Sequence, residues 1–142
     1  MAGRGEAGFS LIEALVALTI IALLAGVAGP RLFSLFDRGK ARIAEIQIDQ
    51  IGAALELYRL DMGRYPTEAQ GLSALIERPR DVAAAGRWSG PYLSDAAGLT
   101  DPWSNPYAYA RPGPEGAPYA IMSLGADGAP GGAGEAADLA SR

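Results

Sequence analysis

Two hydrophobic patterns of different period follow one another along the chain. From Gly8 to Pro30, GFSLIEALVALTIIALLAGVAGP, nearly every position is apolar and Glu13 carries the one charge. As a helix rising about 1.5 Å per residue, residues 9–29 would extend roughly 31 Å, close to the roughly 30 Å hydrocarbon core of a bilayer. One membrane span fits. Beyond it, in RLFSLFDRGKARIAEIQIDQIGAALELYRLDMG, the apolar residues thin to a stripe. Ile48, Ile51, Leu55, Tyr58 and Met62 recur at three- and four-residue spacing, leaving Glu45, Asp49, Glu56 and Arg59 for other faces. That is the period of an amphipathic helix. If Pro30 only kinks it, one helix runs from Phe9 to Met62, ends near Gly63, and approaches about 80 Å in length.

After Gly63 the period is lost. Gly63 and Pro66 predict a turn, and Thr67 with Gln70 has the spacing of a capping box. Ala69, Leu72, Leu75 and Ile76 then suggest a short second helix stopped before Pro79. Residues 79–106, rich in Pro, Gly, Ala and Trp, read as an ordered loop. YAYAR at 107–111 and PYAIMSL at 118–124 read as two antiparallel strands joined by PGPEGA. The tail, GADGAPGGAGEAADLASR, has no periodicity and the composition of a disordered segment. The fold class is α+β: a long N-terminal helix packed on a small domain with a short helix, an ordered loop and a small antiparallel sheet.

Composition narrows the chemistry. The 142 residues contain no cysteine and no histidine. This excludes disulfides, thiol catalysis, imidazole bases and most transition-metal sites. The net charge of −4 gives no nucleic-acid face, and removing Arg4 and Glu6 with a leader leaves that balance unchanged. No phosphate-cradling Gly-rich loop followed by Lys-Ser/Thr is present. No constellation of Asp, Glu, Ser and Tyr assembles into a catalytic pocket, so an enzyme is not expected. Trp88, Tyr92, Trp103 and Tyr107 are either local core beside turns or an aromatic platform for carbohydrate.

Glu13 is the anomaly. An acid costs about 2.5 to 3.5 kcal/mol at mid-bilayer and less near the headgroups. It either reaches the interface and favours the positive end of the helix dipole, or waits for a cationic partner from another chain. The apolar segment is retained in either case, because the obvious cleavage junction lies before it, not after it.

The junction GFSLIE resembles the processing site of the type IV pilin and pseudopilin superfamily, and Pro30 stands where that family has a helix-disturbing proline. LDMGRYPTEAQGLSAL, GPYL at 90–93 and DPWSNPY at 101–107 resemble the major pseudopilins of type II secretion systems. The resemblance implies a type IV pilin-like fold. It divides the chain into a cytoplasmic leader at 1–8, a transmembrane and fibre-core helix at 9–30, and a periplasmic domain at 31–142. Prepilin peptidase would cut between Gly8 and Phe9 and methylate the new Phe9 amine. Glu13 would then pair with the Phe9 amine of a neighbour, and Ala22 to Pro30 would form a deformable segment.

The implied function is that of a fibre subunit that drives protein export. Its implied partners are further copies of the chain in a homopolymer, minor pseudopilins, the peptidase, an inner-membrane assembly platform and its cytoplasmic ATPase. A type IV pilus or competence pseudopilus subunit is the alternative. Arg31, Arg38, Lys40 and Arg42 would by the positive-inside rule keep the C-terminal domain cytoplasmic. The leader implies the reverse, with a single-pass inner-membrane chain whose domain is periplasmic.

The tail resembles the pseudopilin calcium loop, whose usual form is GxDGxxGTxDDI. Asp127 sits in the matching DG and Asp138 precedes Leu139, while the span between them is two residues longer and Ala137 takes the place of one aspartate. The resemblance implies a calcium set drawn from Asp127, Asp138, Glu135 and the Leu124 carbonyl, acting as a metal clip on the carboxyl terminus.

Overall fold

The computed structural model describes the backbone of residues 10–80 and 85–141. The chain divides into two compact units, residues 1–36 and 37–142. The first helix, α1, runs Leu11–Met62. It ends where the pattern placed it. Gly63 adopts φ 76 and its N–H donates to the Arg59 carbonyl at 2.8 Å, an αL cap that a side chain would strain.

In the second unit all five stripe residues are buried, Ile51, Leu55 and Tyr58 completely. Ala44, Ala54, Leu72, Leu75, Tyr107 and Ile121 are buried with them, so the helix stripe and the sheet share one core. The capping box forms. The Thr67 N–H donates to Gln70 Oε1 at 2.9 Å, and the Gln70 N–H donates to Thr67 Oγ1 at 3.3 Å. The helix expected after it does not form as an α-helix. Gly71 takes φ 58, which turns the backbone away after one closed turn and leaves only a 3₁₀ segment, Leu72–Leu75.

Residues 85–106 hold two further 3₁₀ turns, at 85–87 and 96–99, the second capped by Asp95 Oδ1 accepting from the Gly98 N–H. The loop is tied to the core by its aromatics. Trp88 Nε1–H donates to the Ala74 carbonyl at 3.0 Å, and the Tyr92 ring meets those of Tyr58 and Trp88 edge-on at 5.7 and 5.6 Å. Tyr107 is buried and its hydroxyl donates to Gln47 Oε1 at 2.8 Å. Tyr107 is part of the core, and Trp88 and Tyr92 pack half-buried against it.

The sheet is antiparallel in the order β1 (Ala108–Ala110), β2 (Ala120–Ser123) and β3 (Leu139–Ala140). The two expected strands are present but shorter, because Pro112 and Pro118 at their facing ends have no N–H for the ladder. The third strand was not expected. Ala140 pairs with Met122 and Leu139 with Ser123, and the Ser141 N–H donates to the Ile121 carbonyl at 2.8 Å. The tail is therefore ordered, and backbone pairing already holds its end.

Two carboxylates at the end of α1 are charge-stabilising contacts. Hydrogen bonding by the Tyr65 hydroxyl, at 2.6 Å, holds the Glu56 carboxyl below its usual 4.5. Ser89 first, then Tyr92 at 2.8 Å, holds Asp61 below 3.8. Groups with lowered folded values stabilise fully above their unfolded values and lose that contribution as pH falls through the folded ones. The melting temperature should therefore fall below pH 4.5, and less steeply in a Glu56→Gln/Asp61→Asn variant, as thermal melts across pH 2–6 would show.

Candidate assembly segment and tail loop

In the first unit, Leu11–Gly29 is long and apolar enough to cross a membrane, and none of it is buried among the described residues. Leu11 is 85% and Leu23 71% exposed. The structure places Glu13 in the first turn of α1. There the helix dipole favours a negative charge by about 0.3 to 1 kcal/mol at a surface, less than the penalty of an acid in lipid. Ala22–Pro30 is helical, and a Cβ at Gly26 or Gly29 would meet nothing within 4 Å. Each glycine costs the helix about 1 kcal/mol relative to alanine, and no close approach among the described residues requires either. Gly8 and Phe9 lie outside the described residues.

The second candidate is the loop between β2 and β3. Leu124 opens it, Asp127 stands in its first turn, Glu135 lies in a 3₁₀ turn at Gly134–Ala136, and Asp138 directly precedes β3. Its two arms touch. The Ala126 N–H donates to the Glu135 carbonyl at 2.8 Å, and a Cβ on Gly125, at φ 64, would sit 2.7 Å from that same oxygen. Asp127 Oδ1 accepts from the Ala129 N–H at 3.1 Å, and Asp138 Oδ2 accepts from the Gly131 N–H at 2.8 Å. Asp138 Oδ1 is enclosed with no hydrogen-bond partner among the described residues.

An enclosed carboxylate oxygen without a donor is what a bound cation would satisfy. Among the described residues no three His, Cys, Asp or Glu side chains gather as a metal cluster. A site here would rest on two carboxylates, backbone carbonyls and water, a donor set that fits a hard cation held weakly. It would not fit a transition metal.

The sequence pointed to the DPWSNPY turn without revealing what it does. Asp101 is 4% exposed and accepts from the Trp103 and Asn105 N–H groups and from the hydroxyl of fully buried Ser123, at 3.0, 2.8 and 2.6 Å. The pairing of Asp101 with Ser123 spans 22 residues, so no local spacing announces it. A groove lined by Tyr65, Thr67, Glu68 and Arg111 offers no catalytic pair. Arg111 Nη1 donates to the Tyr65 carbonyl at 2.7 Å, and the Arg111 N–H donates to Glu68.

An uncovered apolar helix continuing into an amphipathic half that carries a small antiparallel sheet defines the class of pilin-like subunits. A family model described as Type II secretion system (T2SS), protein G matches residues 31–142, and one described as Prokaryotic N-terminal methylation motif matches residues 3–29. The chain is 40% identical to the type II secretion system core protein G of Pseudomonas aeruginosa over 98% of this chain and 96% of that one. It is 35% identical to the Vibrio cholerae protein of the same name, over 96% and 91%. The crystal structure of the major pseudopilin from the type 2 secretion system of enterohaemorrhagic Escherichia coli superposes with a TM-score of 0.63 at 28% identity, covering 78% of this chain and 93% of that one. The chain belongs to the type II secretion system protein G family. It is a single-pass, membrane-anchored pseudopilin, a structural subunit of the secretion pseudopilus and not an enzyme.

Proposed function

We propose that the chain is cleaved by prepilin peptidase between Gly8 and Phe9, methylated on Phe9, and stored in the inner membrane with residues 31–142 in the periplasm. It then polymerises into a periplasmic homopolymer together with minor pseudopilins. The inner-membrane assembly platform and its cytoplasmic ATPase supply the force. The observation that carries this reading is the exposed apolar helix Leu11–Gly29 with one carboxylate in its first turn.

Lipid tails are as apolar as leucine, so moving this helix from bilayer to fibre gains little from its hydrophobic residues. The difference lies in Glu13. An α-amino group titrates near pH 7.7 to 8.0 and stays cationic when methylated, so a neighbour's Phe9 amine neutralises the acid only in the polymer. Gly26, Gly29 and Pro30 give the segment from Ala22 the weak helical propensity to deform as subunits pack. In the tail, Asp127 and Asp138, with the Leu124 carbonyl and Glu135, would hold calcium. The ion would add charge neutralisation and a second tie between the loop arms.

A second exposed strip supports packing outside the membrane. Ile43, Ile46, Leu57 and Leu60, on the helix face away from the core stripe, are 52, 46, 52 and 70% exposed. Leu57→Ser/Leu60→Ser should leave the domain's stability within about 0.5 kcal/mol, since neither side chain is in its core. Fibre yield should fall at least about tenfold, the equivalent of about 1.4 kcal/mol, because each leucine covered by a neighbour contributes about 1.5 to 3 kcal/mol. Sheared fibres quantified by immunoblot test this, and an unchanged yield counts against the polymer reading.

A further inference from the structure

We propose that the Asp101–Tyr107 turn is the platform of the tail-loop cation site and that Asn105 is its positioning residue. The inference rests on the reading of that loop as a calcium site.

Three contacts place Asn105 under the loop. Its Nδ2 donates to the Gly125 carbonyl at 2.7 Å, and its own N–H donates to Asp101 Oδ1 at 2.8 Å. A Cβ built on Gly128, at φ 63, would fall 3.2 Å from Asn105 Oδ1, so the glycine lies directly against the amide. Asp127 is thus flanked on both sides, at 125 and at 128, by backbone that rests on one side chain.

The other face of Gly125 is held as well. Its N–H donates to Ser123 Oγ at 3.3 Å, and that hydroxyl donates to Asp101 Oδ2 at 2.6 Å. A peptide unit is planar, so fixing the Gly125 N–H fixes the direction of the Leu124 carbonyl on the opposite side of the same plane. By the same rule the next plane is stretched between two anchors, with the Gly125 carbonyl on Asn105 and the Ala126 N–H on the Glu135 carbonyl. Two of the proposed ligands, the Leu124 carbonyl and Asp127, are therefore aimed by a bracket of Asn105, Ser123 and Asp101, none of which is a proposed ligand, with the Glu135 carbonyl as the one anchor from within the ligand set. Asp101 closes the bracket from the core, where it and Ser123 are 4% and 0% exposed.

Groups that orient metal ligands typically set affinity by about ten- to a hundredfold. Asn105→Ala removes the grip on Gly125 without touching any proposed ligand. Calcium chloride titrated into the full-length processed chain in detergent micelles, followed by calorimetry, should show affinity lowered about ten- to a hundredfold, with the melting temperature of the calcium-free protein near that of the parent. Linkage requires the converse. In the unsubstituted protein, calcium should slow amide exchange in peptides covering 101–107 as well as those covering 124–138. This second measurement stands even if the variant folds poorly. Parental affinity in Asn105→Ala, or exchange slowed only in the tail, overturns the platform and leaves the calcium site standing. Absence of any calcium binding by the unsubstituted chain overturns both.

Discussion

Replacing Glu13 with leucine should leave a stable, processed, membrane-inserted chain that forms no fibres and supports no export. The substitution perfects the apolar run Leu11–Gly29 as an anchor, so insertion should be unimpaired. It also leaves the neighbour's Phe9 amine buried in the fibre without its counter-charge. An ion stripped of its partner in such a setting costs about 3 to 5 kcal/mol. At about 1.4 kcal/mol per tenfold, each subunit addition becomes unfavourable by roughly a hundred- to a thousandfold or more. Glu13→Asp keeps the charge one methylene shorter and should recover part of the yield. If Glu13 served only the helix dipole, a contribution of about 0.3 to 1 kcal/mol at most, the leucine variant would polymerise and secrete like the parent. Immunoblots of sheared fibres and culture supernatant separate the two outcomes.

Calcium should raise the melting temperature of the chain by a moderate amount. The domain does not depend on a metal to close its end, because β3 and Ser141 are already bonded to β2. The gain is then the linkage term alone. At calcium tenfold above its dissociation constant this is about 1.4 kcal/mol, which for a domain near 100 residues means a rise of roughly 5 to 10 °C. Asp138→Asn should abolish the shift, since it replaces the enclosed Oδ1 and the carboxylate charge while Leu139 and Ala140 keep their strand pairing. No rise at millimolar calcium would make Asp127, Glu135 and Asp138 solubilising charges on an ordered tail.

What the sequence disclosed follows the range of the interactions involved. The stripe Ile48, Ile51, Leu55, Tyr58 and Met62 was legible because helical periodicity is a local property, and all five are buried. Gly63 was legible as the stop for the same reason. The Thr67–Gln70 capping box was also readable, but its spacing could not show that Gly71 would take φ 58 and close a turn in place of opening an α-helix. β3 was hidden because two residues carry no period, and their partners Met122 and Ser123 lie across a glycine-rich loop. Asp101 looked like a turn residue, which it is. Its burial on Ser123, and through Asn105 its hold on Gly125, depend on contacts 22 and 20 residues apart in sequence.

Glu13 stands out in the sequence for a different reason. Glu13 conflicts with its surroundings, and a carboxylate in an otherwise apolar span marks a role outside the isolated chain. Among the described residues none of the Leu11–Gly29 span is buried. In the proposed assembly the partner of Glu13 comes from another molecule.

The pairing of Glu13 with a neighbour requires a new amine at Phe9, and mass spectrometry of subunits recovered from sheared fibres reads that terminus directly. A peptide beginning at N-methylated Phe9 is the expected result. Fibres built of chains that still begin at Met1, or of chains cut elsewhere than after Gly8, would contradict it.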